Sequence, residues 1–314
     1  ITPREYAAYR IAWRENAQTL MHRAGRLFQQ YCVDQYCKIE MQRLKYLREH
    51  QAQLRTEAYT GFMDLAGAEA SNLSRTGTRV ILGPSFVGSN RYMRAQYQDA
   101  MAIVRALGKP DLFITVTCNP KWPEITQCLL PRQQAPDRPD VIVRVFRLKL
   151  KAILNDLTMG ALGIEVARIH VIEFQKRGLP HAHILVILAE EDKPQTPADY
   201  DKIVCMMHGP CGAANPAAPC MKDGTCEKGF PKSFCEQTRS MDNGYPQYRR
   251  RNNGRSVTVK GIELDNRYVV PYNPWFTHKY NCHINVEVCT SISSVKYLYK
   301  YVYKGHDRLS VTLA

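Results

Sequence analysis

The sequence contains no long apolar run and no lipidation signal, which excludes a membrane-spanning helix and makes a membrane partner the weaker reading. It is short of acidic residues: 29 Asp and Glu against 43 Lys and Arg leave a formal charge of +14. An anionic partner follows, and without a membrane segment that partner reads as nucleic acid. No signal peptide is recognisable, and eleven cysteines are an odd number, which argues against a secreted disulfide scaffold. Reduced intracellular thiols, some placed beside histidine for metal binding, are expected instead. The composition of a disordered chain is also missing, since 45% of the residues are hydrophobic, enough for one large domain or two smaller ones. An initiating methionine is absent, and the opening Ile1-Thr2-Pro3 reads as an internal boundary, so the chain is not taken to be a whole polypeptide.

What is present begins with helices. Thr2-Pro3-Arg4-Glu5 predicts a helix start running to about Arg14, and a longer helix is expected over residues 25–59, without the strict heptad of a coiled coil. Residues 67–90 are less regular, with a loop at 71–78 and a break at Gly83-Pro84-Ser85, and residues 91–107 resume a helical pattern. Residues 112–117 then form a strand candidate, followed by the turn-like Cys118-Asn119-Pro120-Lys121-Trp122-Pro123. Thr115 and Thr117 share a face there, and Asn119, Lys121 and Trp122 are candidates to meet a phosphate and a base, or simply to cap the fold. Residues 141–157 read as a helix and 168–175 as another strand. This order predicts an α+β fold with a central antiparallel sheet and flanking helices.

The stretch Phe174-Gln175-Lys176-Arg177-Gly178-Leu179-Pro180-His181-Ala182-His183 carries the chemistry. Alternation along a strand puts His181 and His183 on one face, and the turn before them returns Glu173 and Gln175 to the same neighbourhood. Two imidazoles and the Glu173 carboxylate make a mixed nitrogen and oxygen site that suits Mn, Mg or Zn. A lone strand histidine is more often structural than catalytic, so the site needs a reaction partner elsewhere in the chain.

A second metal candidate lies in a cysteine-rich insertion that follows an acidic, proline-containing loop at 190–197. His208, Cys211, Cys220 and Cys226 are the preferred structural zinc quartet, with Cys205 and Cys235 as alternatives; otherwise these are buried thiols and a loop histidine. Tyr248, Arg249, Arg250 and Arg251, ahead of Asn252-Asn253-Gly254, combine aromatic and cationic groups suited to phosphates and an unpaired base.

The reaction partner is the segment from Ser294, a cap, to Gly305, a stop. At roughly 100° per residue, Val295, Leu298, Tyr299 and Val302 form an apolar stripe while Tyr297 and Tyr301 lie together nearly opposite it. Two exposed phenols one turn apart can act as phosphodiester nucleophiles if cations stabilise the phenolate, and Lys300 and Lys304 adjoin them.

These segments, with Phe113-Ile114-Thr115-Val116-Thr117-Cys118-Asn119-Pro120 and His208-Gly209-Pro210-Cys211-Gly212, resemble the replication-initiator-like endonuclease domain of Helitron transposases, within the HUH family of single-strand DNA nucleases. The resemblance implies a ferredoxin-like or RRM-like core and an N-terminal helical DNA-binding or support region at 1–108. The endonuclease domain would be residues 109–314, with 198–255 as its cysteine-rich and basic insertion. His181 and His183 would be metal ligands and Glu173 the third, with Gln175 its main rival and Glu287 a more distant one. Mn or Mg would serve catalysis. Tyr297 and Tyr301 would be the nucleophiles, producing a 5′-phosphotyrosine and a free 3′-hydroxyl on single-stranded transposon-end DNA. Lys176 and Arg177 join the expected DNA contacts. A C-terminal helicase in the full-length protein and a nuclear location go with this resemblance. The competing readings are a metallonuclease that activates water, and a zinc-supported DNA-binding module without catalysis.

Overall fold

The computed structural model describes residues 1–12, 14, 20–51, 82–175, 178–194, 206–241 and 246–289. The tyrosine-bearing segment at 294–305 and the expected loop at 71–78 lie outside the described residues.

Five helices matter here: α1 (Pro3–Ile11), α2 (Arg26–Glu49), α3 (Asn90–Leu107), α4 (Pro139–Thr158) and α5 (Pro274–Tyr280). Four strands build the sheet: β1 (Leu112–Thr117), β2 (Glu165–Phe174), β3 (Pro180–Leu188) and β4 (His283–Val288). The chain divides into two compact units.

The first unit takes in the described parts of 1–99 together with Cys128–Val141. Its opening helix starts where the sequence places it. Thr2 Oγ1 accepts from the Glu5 N–H at 3.2 Å, and Glu5 Oε2 accepts from the Thr2 N–H at 2.8 Å, a reciprocal cap with Pro3 in the first turn. The helix ends at Ile11, short of the expected Arg14. The core of this unit holds an ion pair: Arg138 donates to both oxygens of Asp140 at 2.9 Å and to the Cys128 carbonyl at 3.0 Å. Both side chains are buried, and the charges are tolerable there because each is fully engaged. Buried His22 stands beside them, 4.0 Å from the Asp140 carboxylate, with its own carbonyl accepting from Gln133 Nε2 at 2.6 Å.

The second unit holds the sheet, with strand order β4-β1-β3-β2 and every neighbouring pair antiparallel. Read along the chain, β1-α4-β2-β3-α5-β4 is the split βαβ arrangement of ferredoxin-like folds. The sheet has one apolar face. Leu112, Ile114 and Val116 of β1, Ala182, Ile184 and Val186 of β3, and Ile284, Val286 and Val288 of β4 are buried and paired across the ladders. Helix α4 brings Ile142, Phe146, Leu150, Ile153 and Leu157, a stripe at spacings of three and four residues, all buried. Arg168 of β2 fastens strand to helix by donating to the Leu154 carbonyl at 2.9 Å and to Thr158 Oγ1 at 2.7 Å. At the other end of the chain order, Asp156 of α4 receives Lys279 and the Tyr280 hydroxyl from α5. Flanking helices therefore hold one side of the sheet, as the sequence predicts.

Between β3 and β4 the insertion is built from short ladders. The pairs are Met206–Met207 with Val269–Val270, Met221–Lys222 with Thr225–Cys226, Arg239–Ser240 with Pro246–Gln247, and Ser256–Val259 with Ile262–Asp265. Two tight turns organise them. Asp223 and Gly224 both have positive φ, +48° and +76°, as do Lys260 and Gly261, at +53° and +79°, the geometry of two-residue hairpins.

Candidate functional site

The second face of the sheet carries the polar row. Register places His283 opposite Thr117, Thr117 opposite His181, and His181 opposite Glu173, so one line across four strands reads His283, Thr117, His181, Glu173. The next line is Asn285, Thr115, His183, Val171. Directly opposed residues in antiparallel strands share a face, and neighbouring strands lie about 4.8 Å apart, so these groups form one patch.

Each histidine is held by a threonine. Thr117 Oγ1 lies 3.1 Å from His181 Nδ1, and Thr115 Oγ1 lies 3.2 Å from His183 Nδ1. Pinning Nδ1 fixes each ring and leaves Nε2 as the nitrogen that would face a metal. His183 Nε2 stands 3.3 Å from Glu173 Oε2, and the His183 ring stacks on Phe113 with centroids 5.7 Å apart. His181 Nε2 is buried without a hydrogen-bond partner. Burial, reinforced by His183 and opposed by Glu173, pushes the His181 pKa down to about 4, so its ring is neutral at ordinary pH. An orphaned, neutral imidazole nitrogen beside a second imidazole and a carboxylate is a donor set that fits a divalent ion.

The rivals to Glu173 are placed differently. Gln175 opens the turn, its carbonyl accepting from the Gly178 N–H at 2.8 Å and its N–H donating to Leu179 at 3.1 Å. Glu287 accepts from Asn285 Nδ2 at 2.9 Å and lies opposite Phe113. That is four residues along the strand from the His181 row, roughly 13 Å.

The insertion gathers the second candidate. His208, Cys211, Cys220 and Cys226 bring their ligand atoms within 4.8 Å of one another, the quartet that the sequence singles out and, among the described residues, the one group of three or more such side chains that close. The Asp223-Gly224 turn folds Met221 against Cys226 and so sets Cys220 and Cys226 at the open end of one hairpin. The Glu227 N–H donates back to the Cys220 carbonyl at 2.8 Å. His208 is fixed by its N–H to the Tyr268 carbonyl at 2.6 Å and by stacking on Phe230 at 4.2 Å. Burial and the neighbouring Cys226 and Cys220 thiols push Cys211 up to about 12. Burial works the same way on Cys226, but hydrogen bonds from the Phe230 and Lys228 backbone and from the Cys220 and Cys211 thiols together outweigh it and lower that thiol. Three thiols and an imidazole could hold a metal such as zinc, which would neutralise the thiolates as they form. Cys235 is spent elsewhere, donating to the Gln237 carbonyl at 2.8 Å, and Cys205 lies outside the described residues.

The expected DNA contacts separate. Thr115 and Thr117 orient the histidines. Asn119 closes its own turn, accepting from the Lys121 N–H at 2.9 Å and donating to the Asn281 carbonyl at 2.7 Å, while Lys121 is exposed. Trp122 corrects the expectation of a base contact: it is buried, Lys149 lies 5.7 Å from its ring centroid, and its Nε1 donates to the Tyr280 carbonyl at 2.8 Å. Arg250 is a second correction, buried with its guanidinium on the carbonyls of Tyr248 and Val269, both at 3.1 Å. The Tyr248 hydroxyl accepts from the Val288 N–H at 3.0 Å, tying the insertion to β4. Arg249 is half-buried and Arg251 exposed. Lys176, Arg177, Tyr297, Lys300, Tyr301 and Lys304 lie outside the described residues. His283 was not singled out from the sequence, because a lone histidine at the start of a strand carries no spacing signal; only pairing with Thr117 puts it in the row.

Residues 6–186 match the family model described as the Helitron helicase-like domain at the N-terminus. Comparison with curated proteins found no match.

Proposed function

The chain belongs to the family of Helitron helicase-like N-terminal domains, and from that premise we propose that it is a metal-dependent endonuclease and strand transferase for single-stranded transposon-end DNA. Membership points to a transposase-related function with DNA as partner. The observation that supports this chemistry is the His181, His183 and Glu173 patch, where His181 Nε2 has no partner among the described residues and His183 Nε2 stands 3.3 Å from the carboxylate.

Mn or Mg bound there would act as a Lewis acid on a phosphate oxygen. The chain's own residues do the rest. Thr115 and Thr117 hold both imidazoles by Nδ1, and basic side chains such as Lys121 and Arg251 hold the strand through its phosphates. Tyr297 or Tyr301 attacks phosphorus; the phenolic oxygen forms the new bond, the P–O3′ bond breaks, and the phenolic proton passes to the departing 3′-oxygen. The product is a 5′-phosphotyrosine and a free 3′-hydroxyl, which can attack in turn to complete strand transfer. A helicase following this domain and a nuclear location complete the proposal.

Labelled single-stranded DNA carrying a transposon end, incubated with the chain and Mn, tests it. Cleavage that leaves the label on denatured protein supports tyrosine attack. Cleavage without an adduct favours activated water, and binding without cleavage favours the zinc-supported binding module that the His208 cluster makes the second reading.

A further inference from the structure

The insertion contains a cavity of about 270 Å³ that the metal patch does not use, and we propose that it receives one unstacked base of the single-stranded DNA, a base bearing an exocyclic amino group. The inference rests on the reading of the substrate as single-stranded DNA. Phe234, Arg251, Arg255, Glu263, Asp265 and Asn266 are among the residues lining it.

The wall supplies stacking. The Arg267 guanidinium lies 5.2 Å from the Phe234 ring centroid, and an aromatic ring backed by a cation is a platform for a base of any sequence. The rim supplies charge. Arg251 and Arg255 are exposed, and among the described residues neither guanidinium has a side-chain partner, so both can meet the phosphates on either side of a base that has left the stack.

The acidic part of the lining supplies choice. Two carboxylates face the cavity, but Asp265 is occupied by a two-pronged contact from Arg267, at 3.0 and 2.7 Å. Glu263 accepts a single hydrogen bond, from Ser256 Oγ, and a carboxylate has further acceptor positions. A carboxylate in that place takes an amino N–H such as that on N4 of cytosine, whereas an unpaired thymine offers only its ring N3–H, flanked by two carbonyl oxygens that repel the carboxylate. The shape is set before any ligand arrives: Asn266 Nδ2 donates to the Arg251 carbonyl at 2.7 Å and to Asn253 Oδ1 at 3.0 Å, and the Arg255 N–H donates to the same oxygen at 3.1 Å.

Fluorescence anisotropy with the full chain and a short labelled oligothymidine, its central base either dT or dC, tests the pocket without added Mn or Mg. The dC strand should bind more tightly. Phe234→Ala should weaken it by about fivefold or more. Glu263→Gln, whose amide can accept from an amino group or donate to a carbonyl oxygen, should erase the difference between the strands with the far-UV circular dichroism unchanged. Equal binding of the two strands, or a preference that survives Glu263→Gln, overturns the pocket alone. Failure of the wild type to bind either strand overturns the single-stranded reading with it. Displacement of the strand by comparable concentrations of deoxycytidine monophosphate would make this a free-nucleotide site and also overturn the assignment.

Discussion

His181 is a half-buried imidazole with Nδ1 committed to Thr117 and a buried Nε2 that, among the described residues, has no partner. Its pKa falls from 6.5 to about 4, mainly through burial, so the unfolded chain binds a proton where the folded one does not. Stability from neutral His181 is therefore full above pH 6.5 and is lost as pH falls through the window down to about 4. Without added metal, the urea midpoint of the wild type should drop across that window, and that of His181→Gln should drop less; parallel curves would remove His181 as the cause. Thr117 acts through His181. Thr117→Val should keep the fold, since the side chain is half-buried on a strand that favours β-branched residues, yet lower Mn affinity by about 10-fold or more. Isothermal titration of Mn decides it, and an unchanged affinity would leave the threonine with packing alone. At this scale the sequence is informative where chemistry repeats at short spacing, as in His181-Ala182-His183. It misleads for Trp122 and Arg250, whose types suit DNA but whose surroundings bury them.

The elements divide between those set locally and those set by distant partners. Strand β1 falls at 112–117 as expected, because alternation and the following Pro120 both lie in the segment itself. The Lys260-Gly261 hairpin was not anticipated, since Asn252-Asn253-Gly254 offers the stronger turn signal nearby. The His208 quartet was legible because a small loop-rich insertion with few buried apolar side chains needs another source of order. Zinc removal by a chelator should thus abolish amide protection across residues 206–241 in hydrogen exchange while strands β1 and β3 stay protected; a uniform response would contradict a local role. In the first unit the Arg138–Asp140 pair sits in the same position of dependence. Arg138→Ala leaves a buried carboxylate unpaired and should cost about 3–5 kcal/mol in urea unfolding, whereas an exposed pair such as Lys45–Glu49 should cost less than about 1 kcal/mol on Lys45→Ala.

For the whole molecule, the α+β class was legible from the order of helices and strands, but the strand order β4-β1-β3-β2 was not, because β1 pairs with partners some 68 and 170 residues away along the chain. That pairing is what adds His283 to the patch, while Glu173 joins it through the β2–β3 hairpin already legible in the sequence. Among the described residues no helix is long and apolar enough to cross a membrane, and the charge of +14 fits the DNA partner that the family supplies. In the proposed function this patch serves cleavage through a protein–DNA bond. The most direct measurement is mass spectrometry of the denatured, protease-digested product of Mn-dependent cleavage of single-stranded DNA. A nucleotide remnant is expected on the peptide bearing Tyr297 or Tyr301, absent from the Tyr297→Phe/Tyr301→Phe double variant and sharply reduced in His183→Ala. Cleavage with no remnant on either tyrosine, or a remnant that persists in the double variant, would contradict it.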